Sequence, residues 1–289
     1  MTDFTVCNLC DPPGNVADAS EVRRVRSNVR KFQHETFAMW RCPRCGSLHA
    51  TEAVGLDDYY RHYPIHDHQM DAVTRLAYQN RLRSLRRCGV SKGATVLDYG
   101  CGHGVFVRFL RESGHEASGY DAYVDDYADE RALSARYDVV VAYDVIEHVN
   151  EPGALFSQLV RRLKPGGLLV IGTPAADQLD LDDAESCVME LHQPYHRHIL
   201  SEAALLRLGV GAGLEVVRVE RRSCYDTLYP FVNARFGKAY LRRAGNVLDA
   251  VLEKPRLGLI FASPGLLFYA LAGYFLPPAG NITAFFRER

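Results

Sequence analysis

The sequence of 289 residues carries almost no net charge, since 34 basic and 35 acidic side chains leave −1 at neutral pH. Without a positive surplus the chain lacks the general attraction that holds proteins to bulk nucleic acid or to an anionic membrane surface. Internal repeats and low-complexity tracts are also missing, which argues against a solenoid or a disordered array. No cleavable signal segment is evident, so the eight cysteines are expected to be reduced thiols in a cytoplasmic setting rather than disulfides. Nor is there an unbroken apolar run of membrane-spanning length. The best candidate, residues 257–278, is interrupted at Pro264 and Gly265 and diluted by Gly258, Ser263, Gly273 and two tyrosines. It is expected to form helices packed on the body of the protein, as an apolar wall, a homodimer surface or a peripheral membrane contact.

What is present is concentrated between residues 94 and 110, A-T-V-L-D-Y-G-C-G-H-G-V-F-V-R-F-L. Thr95, Val96 and Leu97 supply the β-branched and aliphatic run of a strand covered on both faces. Gly100, Gly102 and Gly104 remove side chains where the backbone must turn sharply and a ligand must come close. Val105, Phe106, Phe109 and Leu110 then recur at helical spacing. A strand that feeds a glycine turn into a helix N-terminus presents free N–H groups to a nucleotide-like ligand. The glycines fall as G-x-G-x-G rather than G-x-G-x-x-G, and Asp98 precedes them by two residues. That carboxylate is badly placed for a pyrophosphate and well placed for a cationic, amine-bearing ligand.

With its D-x-G-x-G-x-G form, this segment resembles the first motif of the class I S-adenosylmethionine (SAM) methyltransferases. The pieces that follow keep the family order over residues 75–218. H-E-A-S-G-Y-D-A ends a second strand at Asp121, 23 residues beyond Asp98, where an acidic side chain can accept from both ribose hydroxyls. R-Y-D-V-V-V-A-Y-D-V-I-E-H-V gives a third strand at 138–143, with Asp144 and His148 just past its end. A helix led by Pro152, the turn K-P-G-G and another buried strand come next, and 281–287 reads as a closing strand. The resemblance implies an α/β fold: a Rossmann-like seven-stranded sheet with a small N-terminal module and a helical insert before the last strand. It implies SAM held by Asp98, Gly100, Cys101, Gly102, His103, Asp121 and Asp144. Only 16 residues separate Asp121 from Asp138, too few for the usual helix and strand, so the adenine contacts are open, with Tyr123, Asp126 and Tyr127 as candidates.

Ahead of this domain stand two C-x-x-C pairs, Cys7/Cys10 and Cys42/Cys45, the second read as a C-P-R-C-G knuckle. Each pair can give two thiolates to one tetrahedral ion, and four thiolates leave no position open for catalysis, so structural Zn2+ is expected. Cys88, Cys187 and Cys224 show no pairing pattern. The expected organisation is a zinc-binding module at 1–55, a linker and leading helix at 56–90, and the methyltransferase domain at 91–289 with an apolar helical insert at 225–278. The arginine-rich stretch 75–87 reads as a helix packed by Leu76, Leu82 and Leu85 with its arginines in solvent. The segment 57–70, rich in tyrosine and histidine, reads as a surface connection or a cover for the pocket mouth.

Two histidine groups sit where such sheets bind ligands: Glu147–His148 beyond the third strand, and His192-x-x-x-His196-x-His198 before the helix capped by Ser201. Imidazole is suited to general base catalysis near neutral pH, which marks His148, His196 and His198 as catalytic candidates. Tyr195 and Tyr225 are candidate pocket residues. Zinc modules in front of this domain are similar to those of bacterial sugar and natural-product methyltransferases, which implies a hydroxylated small-molecule or glycan acceptor. The N-P-P-[YF] signature of amino-methylating enzymes is replaced by A-Y-D-V, so O-methylation is expected ahead of C-methylation of a nucleotide sugar. Other acceptors, lipid-linked, RNA or protein, and a SAM-binding protein without turnover, are the alternatives.

Overall fold

A computed structural model describes residues 4–52, 54–55, 57–60, 70–278 and 280–288 of the chain. The N-terminal strands β1 (Val22–Arg26), β2 (Thr36–Arg41) and β3 (Leu48–Ala50) pair antiparallel in sequence order. A short helix α1 (Asp57–Tyr60) and the long helix α2 (Ala72–Arg87) follow. Asp71 caps α2 by accepting from the Thr74 N–H, which satisfies one of the free donors of the first turn. The histidines at 62, 66 and 68 of the connecting segment lie outside the described residues.

The main sheet is built from β4 (Thr95–Tyr99), β5 (Glu116–Tyr120), β6 (Tyr137–Tyr143) and β7 (Leu163–Pro174). Helices α3 (Val105–Glu112) and α4 (Pro152–Val160) connect them. After β7 come α5 (Ala184–Leu191), the two-residue strand β8 (His198–Ile199), α6 (Glu202–Gly211), β9 (Glu215–Glu220) and, at the chain's end, β10 (Asn281–Arg287). Strand order in the main sheet is β5-β4-β6-β7-β10-β9, with β10 antiparallel to both of its neighbours. The parallel strands are continuous aliphatic runs because both of their faces are covered, as at Val139–Ala142 of β6.

The sheet has six strands among the described residues, not the expected seven. Between β5 and β6 the chain makes only two short 3-10 turns, Asp125–Tyr127 and Glu130–Ser134, so no further strand is added beside β5. The 16-residue spacing is too short for the helix and strand that would have built it.

The N-terminal module does not stand apart. Strand β8 extends the module's sheet, in the order β1-β2-β3-β8, through Leu48 opposite Ile199 and His49 opposite His198. Cys7, Leu9, Trp40, Cys42 and Cys45 belong to the same apolar cluster as Leu155, Ala204 and Phe286 of the main domain. Between β9 and β10 lie α7 (Ala234–Arg243), α8 (Asp249–Leu252), α9 (Leu257–Phe261) and α10 (Pro264–Ala272). Phe236, Ile260, Leu266 and Ala270 give these helices a small core of their own. Pro264 at the start of α10 separates it from α9, and no described helix is long and apolar enough to cross a membrane.

Candidate functional site

The glycine loop between β4 and α3 is dictated by its left-handed backbone: Gly100, Gly102 and Gly104 have φ of 75°, 51° and 68°. A Cβ on Gly100 would collide with Val145 and one on Gly104 with Tyr127, whereas the space over Gly102 is empty out to 4 Å. The loop is therefore packed from below and open at one point, the form of a cradle. The N–H groups of Gly100 and Cys101 donate to the Tyr120 carbonyl at 2.7 and 3.2 Å, tying the loop to the end of β5. Asp121, one residue further, accepts from the Gly102 N–H at 2.9 Å and from the Tyr123 N–H at 2.9 Å. Asp98 is buried at the foot of this loop, and burial pushes its carboxyl up to about 7. The structure thus brings Asp98, the loop and Asp121 together; His103 is exposed on the loop, and burial raises the Cys101 thiol. Of the adenine candidates, Tyr127 packs on Gly104 and Gly119, and Tyr123 is solvent-exposed and stacked on Tyr60 at 5.0 Å.

Asp144 follows β6 in a left-handed conformation, φ 56°, its N–H bound to the Gly172 carbonyl at 2.8 Å. Opposite it stands a residue the sequence reading missed. Arg81 of α2 is mostly covered rather than solvated, its side chain 13% exposed, with its guanidinium centred 3.8 Å over the Tyr143 ring and 3.7 Å from the Asp144 carboxylate. Its Nε is buried without a hydrogen-bond partner. The arginine run hid this, because the aromatic surface that receives Arg81 comes from β6, far along the chain. A cavity of about 630 Å3 starts at Arg81, Tyr143 and Asp144 and continues past Thr173, Tyr225 and Tyr274. Its size suits a small organic molecule.

Behind Thr173 the two histidine groups meet. Glu147 is fully buried; one of its oxygens accepts from the Thr173 hydroxyl at 3.0 Å and the other has no partner among the described residues. The Nε2 atom of His196 lies 4.0 Å from that unpartnered oxygen, while its Nδ1 donates to the Glu190 carbonyl at 2.7 Å. The His148 ring is 4.7 Å from the His196 ring, and the Tyr60 hydroxyl reaches His148 Nδ1 at 3.3 Å. His192, whose Nδ1 donates to Asn28 at 2.7 Å, stacks on Tyr195 and touches His196 edge-on. Burial holds these imidazoles neutral, with His148 down to about 4 and His192 to about 3, and raises the Glu147 carboxyl well above the usual range. His198 does not join them. It sits in β8, where its Nδ1 pairs with His49 Nδ1 at 2.9 Å and its Nε2 donates to the Asn150 carbonyl at 3.1 Å.

The four cysteine sulfurs gather within 4.8 Å of one another. Sγ separations are 3.5 Å for Cys7–Cys10, 3.6 Å for Cys7–Cys45 and 3.8 Å for Cys10–Cys42. A tetrahedron of thiolates about 2.3 Å from a zinc ion has edges of about 3.8 Å, so the set has the dimensions of a closed structural site. The Leu9 N–H points at Cys7 Sγ at 3.4 Å, and Gly46, φ 74°, turns the chain beneath Cys42.

Residues 66–219 match the family of the methyltransferase domain. An S-adenosylmethionine-dependent methyltransferase of Mycolicibacterium smegmatis, its activity given as probable, is 27% identical over 192 residues, 60% of this chain and 67% of that protein. A ubiquinone biosynthesis O-methyltransferase of Bradyrhizobium diazoefficiens is 30% identical over 183 residues, 56% of this chain and 64% of that protein. The chain thus spans less than two thirds of the length of that relative. A solved S-adenosylmethionine-dependent methyltransferase from Mesorhizobium loti superposes with a TM-score of 0.45 at 16% identity, covering 75% of this chain and 100% of that one.

Proposed function

From the premise that the chain belongs to the SAM-dependent methyltransferases, we propose that it methylates a hydroxyl oxygen of a small aromatic or otherwise hydroxylated acceptor. SAM, when bound, supplies an electrophilic methyl group on a sulfonium. The chain's own part is to hold the donor and bring the acceptor oxygen into line with it. Asp98 and Asp144 are the carboxylates at hand for the ammonium of the methionine moiety, and Arg81 is the mostly covered cation at hand for its carboxylate. Asp121 is placed for the ribose hydroxyls and the open space over Gly102 for the ligand's close approach.

The observation that carries the acceptor assignment is Thr173, which lines the cavity on one side and on the other donates to Glu147 of the buried Glu147–His148–His196 cluster, at the carboxyl edge of β6 and β7. Tyr143, Tyr225 and Tyr274 offer aromatic walls, and Thr173 joins them to the buried cluster behind. The ubiquinone biosynthesis O-methyltransferases among the relatives add support for oxygen as the acceptor atom, at low identity. The cysteine tetrahedron completes the proposal as a structural zinc site that holds the module's turns together.

A lipid-linked acceptor is the second reading, favoured by one specific feature. Leu257, Phe261, Phe268, Leu271 and Phe275 are each more than half exposed, and no charged residue occurs between Arg256 and Arg287. A charge-free face of short helices is suited to lie in a bilayer interface. Tyr274, on the same segment, lines the cavity, so an acceptor with an apolar tail could enter from that side. The deciding experiment supplies methyl-labelled SAM with phenols, quinols, sugars and tailed analogues of each. Labelled product from a phenol or quinol is the expected outcome; transfer confined to amines or to nucleic acid would refute the reading.

A further inference from the structure

We propose that Glu147, His148 and His196 form a second metal site, for a divalent transition ion, separate from the cysteine tetrahedron. One ligand atom from each lies within 4.8 Å of the other two. Ligands about 2.1 Å from a tetrahedral ion are about 3.4 Å apart, so small side-chain rotations close the set. The strongest sign is the oxygen of Glu147 that has no partner among the described residues. It belongs to a side chain with no solvent exposure and faces His196 Nε2 at 4.0 Å, too far for a hydrogen bond. A buried carboxylate oxygen with no donor is costly unless something cationic completes it.

The surroundings are arranged as they are around metal-bound imidazoles. His196 gives its Nδ1–H to a backbone carbonyl, which fixes the ring and leaves the Nε2 lone pair turned toward Glu147. His192 is oriented in the same way by Asn28 and stands 4.9 Å from His196, ring to ring, as an outer neighbour. Two imidazoles and one carboxylate select zinc, iron(II) or a similar ion over magnesium or calcium, which prefer all-oxygen sites. Three protein ligands leave at least one position open, unlike the four thiolates. An acceptor hydroxyl that reached this position from the cavity, past Thr173, would become more acidic and lose its proton to solvent, leaving the oxygen as the nucleophile. That catalytic role rests on the methyl-transfer reading above; occupancy by the ion does not.

The test is a cobalt(II) titration of the metal-free full chain, followed by absorption and elemental analysis, with S-adenosylhomocysteine binding measured on the same samples. Two equivalents per chain are expected. One shows the intense thiolate-to-cobalt charge-transfer band and the other only weak visible bands typical of nitrogen and oxygen ligands. Glu147→Gln and His196→Gln should each abolish the second equivalent and leave the thiolate band and S-adenosylhomocysteine binding unchanged, which also shows that the variants fold. Saturation of the wild-type chain at one equivalent with a thiolate signature overturns the inference, whatever the variants do. So does a second equivalent that survives both substitutions. Failure to bind S-adenosylhomocysteine with two metals in place would instead refute the methyltransferase role.

Discussion

With Asp98 as the proposed partner of the cofactor's ammonium, its carboxyl makes cofactor binding a pH-dependent event whose size follows from the fold. Burial under the glycine loop raises it to about 7, against the opposing pull of Arg81 and with some help from Asp121. In the free protein near neutral pH it is therefore only partly ionised. A bound ammonium stabilises the carboxylate and lowers its pKa, so binding must release a proton whenever the free form holds one. The sign is fixed: affinity is full above pH 7 and is lost as the pH falls below it. With a free-state pKa of about 7, the ionised fraction is about 0.1 at pH 6 and about 0.75 at pH 7.5, an approximately eightfold change in affinity. The range stops there because a ligand α-amino group itself titrates near pH 8.

Calorimetry of S-adenosylhomocysteine binding, in buffers of different ionisation enthalpy, reads both the affinity and the proton released. Asp98→Asn keeps the shape and removes the titration. It should weaken binding at pH 7.5 by about ten- to a hundredfold, the worth of a charge-assisted hydrogen bond of about 1.5–3 kcal/mol. Its affinity should be flat from pH 6 to 7.5. The raised pKa also means that the free protein loses about 4 kcal/mol of stability as the pH rises from 4 through 7, and the variant should regain part of that at pH 7.5. An affinity independent of pH in the wild type, or a slope that persists in Asp98→Asn, would refute the argument.

Two further expectations concern the periphery. The isolated chain should carry zinc at the cysteine tetrahedron, and Cys42→Ser or a strong chelator should unfold the N-terminal module, since structural zinc contributes about 10–16 kcal/mol in small domains and a whole domain is stable by only about 5–15; unchanged thermal unfolding of a zinc-free sample would contradict this. On vesicles, the charge-free helices should hold the protein at the surface with little dependence on salt, and Phe261→Glu combined with Phe268→Glu should release it in a flotation assay while S-adenosylhomocysteine binding is retained; wild-type protein that stays in the aqueous fraction removes the lipid-linked reading.

What was legible in the sequence was local. The glycine loop, Asp98 and Asp121 could be read because a strand, a turn and a helix within about thirty residues specify their own geometry. The closing strand was recognisable at 281–287 because its alternation needs no partner to be seen, and β10 spans Asn281–Arg287. The cysteine pairs were legible from spacing alone. Contacts made across the sheet were not. Arg81 looked like one more solvated arginine on α2 until Tyr143 received it. His196 and His198 looked equivalent two residues apart, but one faces Glu147 and the other is drawn into β8 by pairing with β3. Six strands rather than seven followed from a length that was visible in the sequence, although its consequence for the sheet was not taken.

The short run from His192 to Ser201 explains why the cysteine-bearing module should accompany this domain at all. His192 and His196 stand at its start, buried beside Glu147 and His148. His198 and Ile199 pair with His49 and Leu48 in its middle. Ser201 closes it, donating to the Cys45 carbonyl at 2.6 Å and taking the Ser47 hydroxyl on its own N–H at 3.0 Å. The knuckle that carries Cys42 and Cys45 thus grips the far end of the segment whose near end presents His196 to Glu147. Arg197, between them, reaches the carbonyls of Glu52 and Val54 with its guanidinium and binds the Glu147 carbonyl through its N–H at 2.7 Å. Tyr195, Ile199 and Leu200 anchor the segment in apolar surroundings, and a site held to fractions of an ångström also needs directional contacts on rigid elements. The module supplies them: the turns that bear the four clustered cysteines adjoin β3, and β3 sets the register of β8 and with it of His198.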